Sequence, residues 1–272
     1  MLKKIKTKLA LIKSAVFGIW HGFSEPEEEI SDLVKKIKIG SSRQGREIFA
    51  YQLGTGQTKI ALVSAIHGNE VGTTKLARKI INWLSTTEKD FKNFSFYIIP
   101  CLNPDGFQLA RSCPQYWRGG RAGRFNAQQV DLNRNFKTTS WQGSSIWSSG
   151  QNYSQKDEVF CGSSAGSEPE VAGLSDLIIK ENIKLLFSFH NVGRDVMPSS
   201  DDLAIKLAKI YCQQTGFTFV SREDWQKLAQ TGTARQWCEE NSVSYVEVEC
   251  PYRWGSDWPR QKKAISACLD CL

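Results

Sequence analysis

Apolar positions along this chain follow two rhythms. Short, nearly unbroken runs occupy residues 48–53, 60–66, 94–101, 183–189 and 243–250, each bounded by polar or turn-forming residues. Runs of this length predict strands, and the most continuous of them predict strands covered on both faces. Residues 217–220 add a short strand. Residues 71–84, 201–215, 232–241 and 259–271 instead carry the spacing expected of helices. Strands alternating with helices predict an α/β fold: one domain on a mixed, mostly parallel twisted sheet with helices on both faces. In such sheets ligands gather at the carboxyl ends of strands. His67, Asn103 and His190 all fall at or just after such ends.

Residues 103–166 break the rhythm. They are rich in Gly, Ser, Asn, Gln and Trp and read as mostly loop, and a loop of that length inside a domain usually has a function. Ser167-Glu168-Pro169-Glu170 then predicts a helix start, running to about residue 181. Ser167 would cap it, Pro169 suits the first turn, and Glu170 would complete a capping box. At the other end of the chain Leu2, Ile5, Leu9, Ile12, Val16 and Ile19 recur at helical spacing with lysines between them, the pattern of a basic amphipathic helix. The acidic stretch from Glu25 to Asp32 reads as a linker or first turn. Residues 1–30 are therefore set apart from a main domain of residues 31–272.

Composition narrows the function classes. The chain has 272 residues, 40% hydrophobic and 11% aromatic, enough for a real core. No run approaches the roughly 18 apolar residues of a membrane span. The net charge is +7, but five lysines and no acid in residues 1–24 supply +5 of it, leaving a near-neutral body. A nucleic-acid partner is therefore not expected. The lysine-rich helix suits packing on the domain, contact with a membrane surface through residues 1–24, or a poor export signal, since Lys13 interrupts the apolar stretch. A cytoplasmic monomer is the expectation, with export or membrane-surface association as the other readings. Of eight cysteines, Cys101 and Cys250 read as small buried residues. Cys268 and Cys271 read as free thiols on a terminal helix, and no disulfide framework is expected in a chain this large.

The chain has only three histidines. His67 lies three residues before Glu70 at a strand exit, and His190 ends the run Leu185-Leu186-Phe187-Ser188-Phe189-His190. Two imidazoles, one carboxylate and an open fourth position make the donor set of a catalytic zinc centre. The spacing alone is weak, but the surrounding strings are specific in combination. They are Gly40 to Ile48, Asn103-Pro104-Asp105-Gly106, Gly123-Arg124-Phe125-Asn126-Ala127, Val130-Asp131-Leu132-Asn133-Arg134-Asn135-Phe136 and the Ser167 to Glu170 segment.

Taken in order, these strings resemble the zinc carboxypeptidase family, the funnelin-type metallopeptidases, over residues 38–258. The likeness is greatest to small bacterial members such as the murein peptide amidases. The resemblance implies one Zn²⁺ per chain, held by His67, Glu70 and His190. It implies Glu249 as catalytic base, with Glu247 as the rival, because residues two apart on a strand share a face. Arg124, nine residues before Asn133, matches the arginine that polarises the scissile carbonyl, and Arg118 is the alternative. Asn133 and Arg134 match the pair that grips the substrate's free carboxylate, a task suited to a guanidinium fork. His21 lies outside every motif. One departure is plain: pancreatic-type members carry a tyrosine about twenty residues before the base, whereas residues 221–232 hold none and Trp225 is the nearest aromatic. Arg235 lies near the segment that lines the specificity pocket in relatives. If it points inward, a second acidic group on the terminal residue is favoured, as in diaminopimelate, Asp or Glu. A solvated helix position is the other reading.

The expected function is a zinc-dependent metallopeptidase that hydrolyses an amide bond next to a free carboxylate. It would act as a carboxypeptidase or as a murein-peptide (γ-D-glutamyl-diaminopimelate) amidase, with a peptide or cell-wall peptide as partner. An N-acyl amino acid deacylase of the aspartoacylase or succinylglutamate desuccinylase type shares the His-Gly-Asn-Glu and Asp-Leu-Asn-Arg strings and is the alternative. Asn103 to Gly106 and Ser167 to Glu170 favour the peptidase. A catalytically dead binding protein on the same fold is the third reading.

Overall fold

In the computed structural model the described residues are 25–87, 89, 91–112, 122–149 and 154–272. The expectations for residues 1–24, including His21, and those for Cys113 and Arg118 fall outside them. Ten strands are described: β1 (Lys35–Ser41), β2 (Glu47–Leu53), β3 (Thr58–Ser64), β4 (Phe94–Ile99), β5 (Ser144–Ser149), β6 (Gln155–Phe160), β7 (Leu185–Asn191), β8 (Asp195–Pro198), β9 (Thr218–Phe219) and β10 (Ser244–Cys250). The helices are α1 (Val71–Thr86), α2 (Pro104–Ser112), α3 (Pro169–Lys180), α4 (Asp202–Thr215), α5 (Arg222–Gln226), α6 (Ala234–Glu240) and α7 (Trp258–Leu269).

Eight strands form one sheet in the order β1-β2-β4-β3-β7-β10-β8-β9. Its four central strands, β4, β3, β7 and β10, run parallel. The antiparallel pairs lie towards the edges, at β1–β2, β2–β4 and β10–β8. This is the mixed, mostly parallel sheet that the alternating pattern predicts.

The apolar runs explain the layering. Every residue of β7 is buried. Phe187 and Phe189, with Val246 and Val248 of β10, face a core built with Leu76, Ile80 and Ile81 of α1, Leu207 and Tyr211 of α4, and Ile265 of α7. Leu186 and Tyr245 face the opposite core, with Val171 and Leu174 of α3 and Trp237 and Cys238 of α6. Burying a side chain such as Phe187 or Phe189 contributes about 2–3 kcal/mol each. The central strands therefore fix the register of everything attached to their ends.

The sequence-based expectation fails in several places. Residues 103–166 are largely irregular among the described residues, as expected, but they also hold α2, a 3-10 turn at Leu132–Arg134 and the β5–β6 hairpin, which the sequence did not signal. The short strand β8, between β10 and the edge strand β9, and the short helix α5 also lacked a signal long enough to read. Ser167 does not cap α3. The N-cap residue is Glu168, and it makes no side-chain cap bond, although Pro169 does occupy the first turn. The reason is tertiary. Arg43 draws both acids away, with Nε donating to Glu168 Oε2 at 2.9 Å and its backbone N–H to Glu170 Oε1 at 3.1 Å. Cys101 is partly exposed rather than buried, whereas Cys250 is buried as expected. Cys268 and Cys271 are free thiols at the end of α7, the first buried and the second exposed.

The acidic stretch after residue 24 is tied to the body. Glu25 accepts from the Ser256 backbone N–H at 2.8 Å, and Glu28 accepts from Lys79 at 2.7 Å and Asn82 at 2.9 Å on α1. Among the described residues no helix is long and apolar enough to cross a membrane.

Candidate metal centre

Strand β3 ends at Ser64, and the chain turns through Ala65 at φ 49° into the loop that carries His67 and Glu70. Gly68 is required here: a Cβ would lie 2.2 Å from the Phe107 backbone nitrogen, so only glycine lets this loop press against α2. His190 comes from the end of β7, the neighbouring strand. The three side chains converge. His67 Nδ1 lies 3.0 Å from Glu70 Oε1, His190 Nδ1 lies 3.1 Å from Glu70 Oε2, and the two Nδ1 atoms are 3.2 Å apart. One donor atom from each falls within 4.8 Å of the others, and all three residues are buried.

Without a cation this is an unfavourable packing of polar atoms. Glu70 Oε2 is buried, and its close neighbour, His190 Nδ1 at 3.1 Å, makes an ion-pair contact there without a well-aligned hydrogen bond. Burial alone would raise the Glu70 carboxyl, yet the two histidines outweigh it and hold it far below the usual range. Burial would lower His190, but Glu70 raises it to about 9. Two nitrogens and a carboxylate focused on one point fit a dication of the zinc type. The outer partners fit too. His67 Nε2 is 3.1 Å from Asp131 Oδ1, and His190 Nε2 is 3.0 Å from Ser188 Oγ, so each ring is oriented by its second nitrogen.

Asp131 is the hub of the site. It is fully buried. Besides His67 it takes Arg124 through Nε at 3.1 Å and Nη2 at 2.8 Å. It also accepts from the Asn133 backbone N–H at 3.0 Å. Burial would raise its carboxyl, but Arg124 and His67 hold it well below the usual carboxylate range. Asp131 uses Nε and Nη2 of Arg124 and leaves Nη1 to other partners, while the guanidinium carbon sits 4.5 Å from the Trp147 ring centroid.

The remaining expected residues surround this point. Glu249 pairs in register with His190 across β10 and β7, and Glu247 pairs with Ser188. All four therefore lie on one face of the sheet. Burial, reinforced by the charge of Glu70, pushes the Glu249 carboxyl up to about 8. Glu247 accepts a 2.7 Å bond from Tyr245 Oη. Arg134 is buried, and its described bonds run to main-chain carbonyls, Nη1 to Asn133 O at 2.6 Å and Nη2 to Ile146 O at 3.1 Å. Asn133 Oδ1 accepts from the Ala234 N–H at 2.9 Å, joining the 3-10 turn to the start of α6. Arg235 is 4% exposed, so it is an inward residue and not a solvated one.

Comparison with known proteins decides the family. The zinc carboxypeptidase family model matches residues 23–234. This chain belongs to the zinc carboxypeptidase family. Carboxypeptidase A5 of Macaca fascicularis is 33% identical over 185 residues, which is 62% of this chain and 40% of that protein. The chain thus spans about 40% of the length of that curated relative. Among solved structures, murein-tripeptide amidase MpaA from Escherichia coli O157 superposes with a TM-score of 0.62 at 21% identity, covering 91% of this chain and 95% of that one. Carboxypeptidase A from Helicoverpa armigera superposes at 0.70 with 20% identity, covering 98% and 80%. At these identities the two superpositions show the shared fold. Zinc is the family's metal, and among the described residues His67, Glu70 and His190 form a set able to hold it.

Several strings that carry the zinc carboxypeptidase resemblance turn out to be scaffold. Asn103 caps α2 by accepting from the Gly106 N–H, and its Nδ2 donates to Arg124 O. Asn135 Nδ2 donates to the carbonyls of Cys161 and Ser164. Sequence reasoning missed Asp131, Ser188, Tyr245 and Trp147 at the site. Asp131 had a readable signal, a lone acid opening the Asp131-Leu132-Asn133-Arg134 string. The other three had none, because their roles depend on strand register and on the hairpin.

Proposed function

We propose that this chain is a zinc-dependent peptidase that hydrolyses an amide bond next to a free carboxylate, as a carboxypeptidase or a murein-peptide amidase. The observation that carries the reading is the buried focus of His67, Glu70 and His190, with a buried Arg134 whose bonds among the described residues run to carbonyls. When bound there, zinc lowers the pKa of a water toward ~7 and polarises a carbonyl oxygen.

The chain's own residues supply the rest. Arg134 offers its guanidinium to the substrate's carboxylate, and Asn133 holds the start of α6 against it. Binding at that end fixes the register of the scissile bond, the positioning that lets a group act from a set distance. Glu249 takes the proton from the attacking water and later delivers it to the leaving amine. A carboxyl held at about 8 in the metal-free state is matched to that exchange, because a dication beside it would favour the carboxylate. Glu247, occupied by Tyr245, is the weaker candidate for base. Arg124, braced by Asp131, stabilises the oxyanion that develops at the carbonyl. One such donor is worth about 3–4 kcal/mol.

Product mass spectrometry tests the proposal. The panel holds free-ended peptides, γ-D-glutamyl-diaminopimelate peptides and N-acyl amino acids, each with and without a zinc chelator. Chelator-sensitive release of a C-terminal residue or of diaminopimelate is expected. Deacylation without cleavage of any peptide would overturn the reading.

A further inference from the structure

One loop ties Glu249 to both ligand-bearing segments. Residues 251–257 continue directly from the end of β10. Arg253 O accepts from the Gly72 N–H at 2.6 Å, and Arg253 Nη1 donates to Asn69 O at 3.3 Å, so the loop grips the chain on both sides of Glu70. Tyr252 O accepts from Asn191 Nδ2 at 3.0 Å, one residue beyond His190. Trp254 packs with Val71 of α1 and Ala110 of α2. A Cβ on Gly72 would lie 2.5 Å from Gly255 O, so α1 is seated on the loop with no slack between them.

The far end of this loop is held by a segment 231 residues away. Ser256 is buried, and its N–H and Oγ both donate to the carboxylate of Glu25, at 2.8 and 2.5 Å. Bonds to an ionised acceptor are about twice as strong as neutral ones. Glu25 is itself fixed. Its carbonyl accepts from Lys75 Nζ at 2.7 Å, and its carboxylate lies 3.5 Å from Lys79 Nζ. Glu27 and Glu28 continue the strap, pairing with Arg111 of α2 at 2.9 Å and Lys79 of α1 at 2.7 Å. The acidic stretch thus reaches the metal centre by a short chain of bonds: Glu25 to Ser256, then the loop, then the neighbours of Glu70 and His190.

We propose that Glu25 is a positioning residue for the metal centre: by holding Ser256 it sets loop 251–257, and the loop sets Glu249 against Glu70 and His190. The centre is sensitive to such a shift. A displacement of about 1 Å at a reacting group costs about 10²-fold in rate, and partners behind metal ligands are worth about 10–100-fold in affinity. A loop that grips both ligand segments and continues from the strand of Glu249 carries a shift at Ser256 to all three. The kinetic arm of the test rests on the peptidase reading above, whereas the zinc arm stands without it.

Four variants of the full chain separate positioning from tethering: Glu25→Ala, Glu25→Gln, Ser256→Ala and Glu28→Ala. Each is measured by zinc competition against a chromophoric chelator, by kcat and KM on a substrate the wild type cleaves, and by urea midpoint. Glu25→Ala is expected to bind zinc about tenfold more weakly and to lose about tenfold in kcat with KM nearly unchanged. Glu25→Gln keeps an acceptor for the Ser256 N–H and should recover most of both. Ser256→Ala removes one of the two bonds, should fall between wild type and Glu25→Ala, and decides if Glu25→Ala does not fold. Glu28→Ala cuts the strap's bonds to Lys79 and Asn82 and leaves the Glu25–Ser256 bonds in place. It should keep wild-type zinc affinity and kcat whatever its urea midpoint. Wild-type zinc affinity or wild-type kcat in Glu25→Ala would overturn the proposal. Equal losses in Glu25→Ala and Glu28→Ala would also overturn it, since the strap would then be a tether only. If the wild type cleaves no peptide, the peptidase reading fails and the zinc series alone decides the role of Glu25.

Discussion

Replacing Asp131 with asparagine tests the logic of the centre without touching a metal ligand. The carboxylate serves three donors at once: His67 Nε2 at 3.1 Å, the Asn133 N–H at 3.0 Å and the Arg124 fork at 2.8 and 3.1 Å. Asparagine keeps one acceptor oxygen. If that oxygen stays with His67 and Asn133, the amide N–H₂ must face the guanidinium, donor against donor. The buried Arg124 then loses its counter-charge, which costs about 3–5 kcal/mol when one partner of such a pair is removed. That is a large part of the roughly 5–15 kcal/mol that holds a domain together. The second effect falls on the metal. Partners behind metal-bound imidazoles are worth about 10–100-fold in affinity, or about 1.4–2.7 kcal/mol. Zinc competition against a chromophoric chelator should show the affinity loss. Urea denaturation of the metal-free protein should show a lower midpoint with an unchanged slope. Wild-type zinc affinity together with a wild-type urea midpoint would refute the placing of Asp131 at the hub.

Other outcomes follow from the same geometry. Glu249→Gln should retain zinc at full stoichiometry and lose about 10²–10⁴-fold in kcat; a variant that turns over normally would return the base to Glu247. His190→Ala should copurify with little zinc by elemental analysis, because two donors remain of three. In the metal-free protein Glu249 is raised to about 8 and His190 to about 9, so the folded state holds both protons more tightly than the unfolded one. Their stabilisation is full below about pH 4.5 and 6.5 respectively, the ordinary values for these groups, and is lost as pH rises through 8 and 9. The urea midpoint of the metal-free protein should therefore fall between pH 5 and 9, with the zinc-saturated protein showing a smaller fall; a midpoint that rises across that range contradicts the assignment. Gly72→Ala should destabilise the fold by about 1–3 kcal/mol, since its Cβ would lie 2.5 Å from Gly255 O and 2.7 Å from Tyr252 O; an unchanged urea midpoint would show that the 251–257 loop is freer than this packing implies.

What the sequence makes legible here divides along physical lines. The central strands are readable because both their faces are buried, so residues 185–189 of β7 are apolar but for Ser188. The metal ligands are readable because histidine is scarce in this chain and the strings around them are specific. The β5–β6 hairpin is unreadable because a serine-rich strand such as Ser144–Ser149 is held by cross-strand pairing and by bonds to the site, not by an apolar face. Ser145 Oγ accepts from Thr231 N and Ile146 O from Arg134, contacts between segments far apart in the chain. The capping box predicted at Ser167 fails for a related reason. Glu168 and Glu170 satisfy Arg43, 125 and 127 residues away, and a local rule cannot see that partner.

The arginines of this region divide by their partners. Arg43 has Glu168, Arg46 has Asp105, and Arg124 has Asp131. Each of these pairs braces a loop or the metal's outer partners. Arg43 and Arg46 are exposed, whereas Arg124, Arg134 and Arg235 are buried; among the described residues the hydrogen bonds of Arg134 run to carbonyl oxygens, and Arg235 lies over an aromatic ring. A buried guanidinium without a counter-charge is costly to keep. Arg134 and Arg235 flank the Asn133–Ala234 contact that joins the 3-10 turn to α6. On the peptidase reading proposed above, the substrate's carboxylate would supply the counter-charge to Arg134. That sorting separates Arg43, Arg46 and Arg124, each paired with an acid of the fold, from Arg134, whose proposed partner is the substrate.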